Sequence, residues 1–314
     1  MEYRALGKTG LRVSRLCFGS LTVGPLQAGL KPEEAGEILA FAFENGVNFL
    51  DAAQLYEVYP HIREGLKRTN KDIIIASKSY AYERQQALDA VDECRKALDR
   101  DVIDIFMLHE QESIHTLRGH KPALDALYEL KSKGIIKAVG ISTHHVAAVE
   151  GAMQIGLDVV HPLINVDGWG IVDGTREDME RAVSKAHDMG IGIYTMKTFG
   201  GGNLHKKSEQ CLEYSLSLPF ADSIAIGMQS IDEVKANISF FETGRYTEEE
   251  KAALDAKKRH IHIEDWCTGC GECTRHCPQK ASKVVDGRVI VDGDKCVLCS
   301  YCSAFCEMSA IRVL

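Results

Sequence analysis

Residues 15–228 contain eight short apolar runs that alternate with longer amphipathic segments: RLCFGS from Arg15, NFLDAA from Asn48, DIIIASK from Asp72, IDIFMLH from Ile103, KAVGIS from Lys137, LDVVHPLIN from Leu157, IGIYTMK from Ile191 and SIAIGM from Ser223. The runs are rich in β-branched residues and apolar on both faces, as parallel strands buried on two sides are. Helix signals lie between them; KPEEAGEILAFAFENG, for example, begins near Pro32 and ends at Gly46. Eight strand–helix repeats favour a TIM (β/α)8 barrel over an open doubly wound sheet.

The last 48 residues contain eight of the eleven cysteines, in two copies of the run C-x2-C-x2-C-x3-C. The first copy is Cys267, Cys270, Cys273 and Cys277, and the second is Cys296, Cys299, Cys302 and Cys306. This run resembles that of bacterial ferredoxins, which bind two 4Fe–4S clusters; the fourth cysteine of each run ligates the other cluster. The resemblance implies that Cys267, Cys270, Cys273 and Cys306 hold one cluster, and that Cys277, Cys296, Cys299 and Cys302 hold the other.

Two other uses of clustered cysteines remain as alternatives. Zinc sites also use C-x-x-C pairs, but they take four ligands rather than three close ones and a distant fourth. A disulfide scaffold requires an oxidising compartment and is typical of small secreted domains. Two full copies of the cluster-binding run therefore favour iron–sulfur clusters over both.

Length and charge limit the classes of function. At 314 residues the chain accommodates one large domain and a small one. We predict a barrel over residues 1–245, a helical connector over 246–260, and a small α+β ferredoxin-like iron–sulfur domain over 261–314. A net charge of −8 argues against nucleic acid or an anionic membrane surface as a partner. The N-terminus has no signal-peptide pattern and no run is long enough to span a membrane, so we expect a cytoplasmic protein.

Polar residues collect at the ends of three neighbouring predicted strands. Asp51 ends the second strand and Tyr56 follows it, Lys78 ends the third and His109 ends the fourth. Catalytic groups of TIM barrels lie at these carboxyl ends, so the four side chains should converge at the barrel mouth. Each has a simpler interpretation on its own, such as a helix cap, a solvated strand end or a core histidine.

The chemistry of these four residues is coherent. A lysine ammonium close to a tyrosine would lower the pKa of the phenol, and a carboxylate would orient the lysine. A histidine could donate a hydrogen bond to a substrate oxygen as negative charge develops on it. Such a set suits hydride transfer to a carbonyl, with Tyr56 as the proton donor.

At this point the chain resembles the aldo-keto reductase family over residues 1 to about 245. YRALGKTGLRVS from Tyr3 looks like the family's N-terminal hairpin, and Asp51 with Tyr56 matches its D-x4-Y element. Lys78 and His109 stand at the strand-end positions of the other two members of the family's catalytic tetrad. The resemblance implies NAD(P)-dependent reduction of a carbonyl, or oxidation of an alcohol. A barrel of this type fused to a two-cluster ferredoxin domain is also a family architecture.

The resemblance implies nucleotide contacts at the ends of the later strands. Ser142, Thr143, His161 and Asn165 stand where the family holds the nicotinamide carboxamide, and Met196 replaces the usual stacking aromatic ring. The pyrophosphate cradle corresponds to Lys197 and the loop with Gly200 and Gly201. Residues after the eighth strand resemble the adenosine-binding segment: Gly227, Gln229, Ser230, Glu233 and Asn237. Glu233 stands near the usual arginine for the 2′-phosphate, so both NADP(H) and NAD(H) remain open.

The two parts of the chain pose a question of electron counting, because a hydride carries two electrons and a 4Fe–4S cluster takes one. The sequence shows no flavin fingerprint, although a flavin is compatible with the barrel. We consider three hypotheses. The first is an NAD(P)H-dependent carbonyl reductase with accessory clusters. The second is a ferredoxin-linked oxidoreductase that passes electrons through the clusters to a cofactor or substrate bound at the barrel, and a redox partner protein would exchange those electrons. The third is a non-catalytic redox sensor or nucleotide-binding protein.

Overall fold

The eight apolar runs each form one strand of a closed barrel. In the computed structural model, residues 1–256, 260–299, 301–308 and 310–313 are described. Ten strands lie in the first part of the chain: β1 (Tyr3–Ala5), β2 (Arg12–Ser14), β3 (Leu16–Gly19), β4 (Phe49–Asp51), β5 (Ile74–Ser79), β6 (Ile103–Leu108), β7 (Ile136–Thr143), β8 (Val159–Pro162), β9 (Gly192–Thr195) and β10 (Ser223–Gly227). Strands β3 to β10 pair in parallel around the barrel, and β10 closes it against β3. The predicted (β/α)8 barrel is confirmed.

Helices follow the strands and cover the barrel: α1 (Pro32–Glu44), α2 (Tyr59–Leu66), α3 (Arg84–Leu98), α4 (Ile114–Gly119), α5 (Lys121–Ser132), α6 (Val146–Ile155), α7 (Arg176–Asp188), α8 (Ser208–Ser217), α9 (Ile231–Thr243) and α10 (Glu248–Ala256). Helix α1 begins at Pro32, where the missing N–H costs nothing, and the chain leaves it through Gly46 at φ +92°. Helix α10 lies in the predicted connector, of which residues 257–259 fall outside the described residues.

The barrel has two apolar layers. One lies between the strands and the helices and includes Phe43, Phe106 and Phe240. The other fills the barrel interior and includes Phe49 and Met107. Because successive side chains of a strand point to opposite faces, each strand contributes to both layers, which explains runs that are apolar on both faces.

The antiparallel hairpin of β1 and β2 packs against one end of the barrel. Leu6 and Val13 of this segment belong to the apolar cluster of the barrel interior. A Cβ added at Gly192, the first residue of β9, would lie 2.7 Å from the Leu6 Cγ. Because Gly192 has no side chain, Leu6 can pack in the space beside it. The hairpin lies at the amino-terminal end of β9, so it leaves the opposite end, where strands finish, for the candidate site.

The C-terminal module, residues 261–313, is a small α+β unit. Its elements are β11 (Ile261–Ile263), α11 (Glu272–Arg275), β12 (Ser282–Val285), β13 (Arg288–Val291), α12 (Tyr301–Ala304) and β14 (Ile311–Val313). Strand β11 pairs antiparallel with β14, and β12 pairs with β13. Across the described residues, no helix is both long and apolar enough to cross a membrane.

Candidate active site

Asp51, Lys78 and His109 lie at the carboxyl ends of the adjacent strands β4, β5 and β6, and all three are buried. The Lys78 Nζ donates to Asp51 Oδ1 at 2.7 Å, to Asp51 Oδ2 at 2.8 Å and to the Ala52 carbonyl at 2.8 Å. Three simultaneous acceptors require the protonated ammonium, which has three N–H donors. The structure therefore contains the predicted Asp51–Lys78 ion pair.

Tyr56 lies in the short 3-10 turn that follows β4, above this pair. The Lys78 Nζ is 4.9 Å from the centre of the Tyr56 ring, and the His109 ring meets that ring edge-on at 5.7 Å between centres. Its hydroxyl makes no hydrogen bond to any other part of the chain that the structure describes. The predicted tetrad thus converges, and the Tyr56 hydroxyl is the member available to a ligand.

The proton affinity of Tyr56 differs from the sequence-based expectation. Burial raises the pKa of Tyr56 well above its usual value, and the nearby Asp51 carboxylate raises it further. We expected Lys78 to lower this pKa. In the structure all three Lys78 donors bond to Asp51 and Ala52, so the ammonium makes no hydrogen bond to the phenol. Tyr56 is therefore protonated at neutral pH, as a proton donor must be.

His109 is a neutral imidazole in this site. Burial lowers its pKa to about 2, and the Lys78 charge contributes in the same direction. Its ring stacks on the Tyr80 ring at 4.5 Å, and its Nδ1 is buried without a hydrogen-bond partner among the described residues. A neutral ring carries one N–H donor, so His109 can donate one hydrogen bond without carrying charge.

The backbone adopts the left-handed region beside several of these residues. Glu57 follows Tyr56 at φ +55°, Glu110 follows His109 at φ +49°, and Lys197 has φ +62°. Residues other than glycine rarely adopt this region, and such conformations cluster at functional sites. The turns direct the chain sharply away from the strand ends.

Sequence reasoning missed Tyr194, which lies beside His161 and Asp51. Tyr194 lies in β9, is fully buried and donates from its hydroxyl to Asp51 Oδ1 at 2.8 Å. The His161 ring stacks on it at 3.8 Å, its Nδ1 lies 2.6 Å from the Tyr194 carbonyl oxygen, and its Nε2 lies 3.8 Å from Asp51 Oδ1. The available signal was a tyrosine within the apolar run IGIYTMK, whose hydroxyl needs a partner when buried.

The C-terminal module brings cysteines of both runs close together, and their division into two cluster-binding sets stays a prediction. Burial raises the pKa of the Cys273 thiol, and interaction with Cys306, Cys267 and Cys270 raises it further. Burial likewise raises the pKa of the Cys302 thiol to about 12, and interaction with Cys299, Cys273, Cys296 and Cys277 contributes in the same direction. The first set borders a cavity of about 300 Å³ whose lining includes Cys267, Cys270, Cys273 and Cys306.

Backbone amides support these thiols. The Ala281 amide lies 3.4 Å from the Cys277 Sγ, and the Ala310 amide lies 3.1 Å from the Cys306 Sγ. Amide donors to sulfur stabilise cluster-bound thiolates and tune their potential. Among the described residues no three Cys, His, Asp or Glu side chains are grouped closely enough for a single metal ion. A cubane differs from such an ion, because its four thiolates stand apart around a core of eight atoms.

Comparison with known proteins identifies both parts. The model of the aldo/keto reductase family matches residues 15–211, more than half of the chain. The chain belongs to the aldo/keto reductase family. A 4Fe-4S dicluster domain matches residues 259–307. L-galactose dehydrogenase of Arabidopsis thaliana is 24% identical over 279 residues, which cover 76% of this chain and 88% of that protein. The uncharacterized oxidoreductase YqkF of Bacillus subtilis is 24% identical over 302 residues, which cover 82% of this chain and 96% of that protein.

A solved structure shares the fold. Aldo-keto reductase AKR11C1 from Bacillus halodurans, in its holo form, superposes with a TM-score of 0.66 at 22% identity, covering 82% of this chain and 96% of that one. The comparisons support an aldo/keto-reductase-type oxidoreductase with an iron–sulfur domain. The N-terminal hairpin that the resemblance implied is present as β1 and β2.

Three of the side chains predicted to contact the nicotinamide carboxamide form hydrogen bonds within the chain. Ser142 Oγ accepts from the Glu110 amide at 2.9 Å, and Thr143 Oγ1 donates to the Gln111 carbonyl at 2.6 Å. Asn165 donates to the Trp169 carbonyl and accepts from the amides of Trp169 and Asp167. These side chains hold the strand-end loops. Their contacts to a carboxamide, and that of the buried His161, stay a prediction.

The predicted adenosine segment of this aldo/keto reductase forms the start of α9. Ser230 Oγ accepts from the Glu233 amide, the Glu233 carboxylate accepts from the Gln229 amide at 2.7 Å, and Asn237 donates to the Glu233 carbonyl. Gln229 also donates to the Thr22 carbonyl at 3.0 Å. A Cβ at Gly227 would lie 2.1 Å from the Thr22 Cγ2. These contacts cap the helix and pack the loop, and the adenosine contacts of this segment stay a prediction.

The loop predicted to hold the pyrophosphate contains three consecutive glycines with positive φ. Gly200, Gly201 and Gly202 have φ values of +56°, +64° and +98°, which glycine alone adopts readily. Met196, at the end of β9, is half-buried, and Lys197 follows it. The Lys197 ammonium donates to the Tyr301 hydroxyl of the C-terminal module. The cradle of this aldo/keto reductase therefore lies against its iron–sulfur domain.

Proposed function

We propose that the barrel reduces a carbonyl group of a small molecule with NAD(P)H, or oxidises the corresponding alcohol, with Tyr56 as the proton donor. The observation that carries the proposal is the convergence of Tyr56, Lys78 and His109 around a hydroxyl that the described chain does not bond. Such an arrangement places an acid and a second donor within reach of one substrate oxygen.

The side chains act in different ways on that oxygen. Tyr56 donates a hydrogen bond and then its proton, while the neutral His109 donates a second hydrogen bond as negative charge develops. The ammonium of Lys78, 4.9 Å from the Tyr56 ring, stabilises the phenolate that remains. Asp51 and Tyr194 hold Lys78 in place. Because these groups are buried, their electrostatic effect is larger than it would be in water.

A bound nicotinamide dinucleotide supplies the hydride, and this chain offers Lys197 and the loop Gly200–Gly202 for its pyrophosphate. The ammonium and the three glycines suit a phosphate group in charge and backbone freedom. Since Glu233 is engaged with the Gln229 amide, we make the proposal for both NADP(H) and NAD(H).

We further propose that the two cysteine sets hold two 4Fe–4S clusters, which supply one-electron transfer when bound. Cys267, Cys270, Cys273 and Cys306 would hold one, and Cys277, Cys296, Cys299 and Cys302 the other. Oxygen-sensitive clusters and free thiols suit a reducing compartment, so we place the reaction in the cytoplasm.

One observation favours ferredoxin-linked oxidoreduction as a second candidate function. Tyr301, between Cys299 and Cys302, contacts Lys197 at the barrel mouth and contributes to the raised pKa of Tyr56. The second cysteine set is therefore adjacent to the candidate active site. In this function a low-potential one-electron donor, such as a reduced ferredoxin, would replace NAD(P)H, and two electrons with two protons would reduce the carbonyl.

The substitution Tyr56→Phe tests the proposed reaction. It removes the proton donor while keeping the ring between Lys78 and His109, so we expect kcat for carbonyl reduction to fall by about 10²–10⁴-fold. A panel of aldehydes and ketones would be assayed anaerobically with NADPH and NADH. Tyr82→Phe, in an exposed tyrosine outside the tetrad, is the matched control and should keep full activity.

The electron source separates the two candidate functions. NAD(P)H-dependent turnover that is lost in Tyr56→Phe supports carbonyl reduction with a dinucleotide. Turnover with reduced viologen or ferredoxin, and none with NAD(P)H, would replace it with the ferredoxin-linked function. Binding of nucleotide without turnover of any carbonyl or alcohol would contradict both and favour a sensor.

A further inference from the structure

The C-terminal module contacts the glycine loop of the barrel through two side-chain pairs. The Lys197 ammonium donates to the Tyr301 hydroxyl and lies 5.1 Å from the centre of the Tyr301 ring. The side-chain amide of Gln279 donates from Nε2 to the Asn203 Oδ1. Asn203 in turn donates to the Gly200 carbonyl at 2.7 Å. The only cation assigned to the cradle therefore has a phenol of the module as its partner.

The backbones also approach closely at this point. A Cβ added at Gly202 would lie 3.0 Å from the Val297 carbonyl oxygen and 3.8 Å from the Cys299 Cβ. A Cβ added at Gly201 would lie 3.9 Å from the Tyr301 ring. A side chain at Gly202 would press on module backbone, which cannot rotate away. The absence of side chains at these glycines therefore allows the module to pack closely against the loop. It also allows the loop to adopt left-handed backbone conformations.

Two of the three glycine amides of the loop are already engaged in this conformation. The Gly200 amide donates to the Lys197 carbonyl at 2.7 Å, and the Gly202 amide donates to the Phe199 carbonyl at 3.0 Å. A phosphate cradle works through backbone N–H groups that point at the ligand and through a nearby cation. Here the Gly200 and Gly202 amides close turns within the loop, and the Lys197 ammonium bonds to Tyr301.

We propose that the docked C-terminal module closes the pyrophosphate site, so that module docking and dinucleotide binding exclude each other. This inference rests on the proposed function, since it assigns the pyrophosphate to Lys197 and the glycine loop. Val297, Cys299 and Tyr301 must leave the loop before a dinucleotide can occupy it. The Tyr301 hydroxyl takes the place that a phosphate oxygen would take on Lys197.

The consequence is a shift of populations. When only a fraction of molecules is competent to bind, the apparent dissociation constant is the intrinsic constant divided by that fraction. The chain would then reduce substrate with NAD(P)H in the state in which the module is undocked. The module would contact the barrel mouth in the other, docked state. Changes that weaken docking should strengthen dinucleotide binding.

Direct binding measures this competition. The full chain, purified anaerobically with its clusters, is titrated with NADP⁺ and with NAD⁺ in a calorimeter. Tyr301→Phe and Gln279→Ala each remove one docking contact, and the double variant removes both. A hydrogen bond to a charged group is worth about tenfold or more in an equilibrium. We expect the double variant to bind dinucleotide about tenfold or more tightly than the unchanged chain.

Tyr214→Phe is the matched control. Tyr214 also has a charged hydrogen-bond partner, Glu180, and a cation over its ring, Arg176, but both of these partners belong to helix α7 of the barrel. Removal of the Tyr214 hydroxyl should leave the affinity for the dinucleotide unchanged. Iron content and the visible spectrum verify that each variant keeps its clusters. Gln279→Ala provides a second variant in which residues 296–302 are unaltered.

Hydrogen exchange of the peptide that contains Tyr301 gives an independent readout. Saturating dinucleotide should increase its exchange in the unchanged chain, because the module leaves the loop. Equal, tight affinity in all variants, with no change in exchange, would overturn the inference and leave the proposed function intact. A lack of dinucleotide binding even in the double variant would overturn both.

Discussion

Asp51 has a complete set of donors although it is buried. Two hydrogen bonds from Lys78 and one from the Tyr194 hydroxyl reach its carboxylate oxygens. A buried charge is costly unless it is paired and its remaining lone pairs are satisfied. Tyr194 therefore completes the ion pair from the opposite side of the barrel and positions Lys78 through Asp51.

The substitution Tyr194→Phe should show this role. Loss of the donor to Asp51 is expected to lower the free energy of unfolding by about 1–3 kcal/mol and to reduce kcat more than it changes KM. Urea unfolding and steady-state kinetics measure the two effects. Tyr59→Phe is the comparison, because its buried hydroxyl bonds to Ser77 at 2.8 Å outside the ion pair. A Tyr194→Phe enzyme with unchanged kcat would reject the positioning role.

The raised pKa of Tyr56 sets the pH dependence in each direction of reaction. Reduction needs the protonated phenol, which persists up to its ordinary pKa of about 10 and beyond, so kcat/KM should not fall between about pH 7 and 9. Alcohol oxidation needs the phenolate, whose fraction grows as pH rises, so its rate should increase over the same range. His109 adds no acidic limb above about pH 5, because its pKa is about 2. A reduction rate that declines with an apparent pKa near 7 or 8 would contradict this assignment.

At the scale of elements, strand ends and short loops decide which groups meet. Strands β4, β5 and β6 place Asp51, Lys78 and His109 side by side because their register aligns Asp51 with Ala76 and Lys78 with Met107. In the module, the pairing of β11 with β14 brings the end of the second cysteine run next to the start of the first. Cys306 consequently lies with Cys267, Cys270 and Cys273.

Paired cysteine substitutions test the exchange of fourth ligands between the runs. In the proposed arrangement, Cys270→Ala with Cys306→Ala damages one cluster, so about four irons should remain. Cys299→Ala with Cys306→Ala damages both clusters, and little iron should remain. Iron analysis and electron paramagnetic resonance of anaerobic protein measure these outcomes. The reverse result would show that each run holds its own cluster.

At the scale of the whole molecule, the C-terminal module contacts the candidate active site rather than a distant surface of the barrel. Tyr301 and Lys197 are 104 residues apart in sequence, and Gln279 and Asn203 are 76 apart. The module's own apolar core is small: within the described residues it centres on Cys273, Val289 and Ile311. A module with so small a core depends on its metal for order.

Removal of iron should therefore loosen the contact with the barrel. After anaerobic treatment with a chelator, we expect faster hydrogen exchange in the loop of residues 199–204 and in the module. Exchange in β5 and β6 should stay the same, because the barrel core does not depend on the clusters. Protein treated with the iron-loaded chelator serves as the control. Unchanged exchange in the loop would mean that the contact survives without clusters.

Much of the molecule could be predicted because the signals are local. The strand runs appear through burial on both faces, and the tetrad residues appear because strand ends of a barrel share one edge. The nucleotide contacts could not be predicted in this way. Ser142 and Thr143 have suitable side chains, but their partners are backbone groups of Glu110 and Gln111 in another loop. A side chain's identity does not reveal which donor it will meet.

The barrel, the placement of Asp51, Tyr56, Lys78 and His109 at its strand ends, and the two cysteine runs follow from local sequence, because period and spacing are properties of neighbouring residues. The bond from Tyr194 to Asp51, the protonated state of the Tyr56 phenol and the contact of Tyr301 with the glycine loop follow from the folded chain. These features depend on burial and on contacts between distant segments. Desolvation and long-range packing are consequences of the complete fold, and no local pattern specifies them.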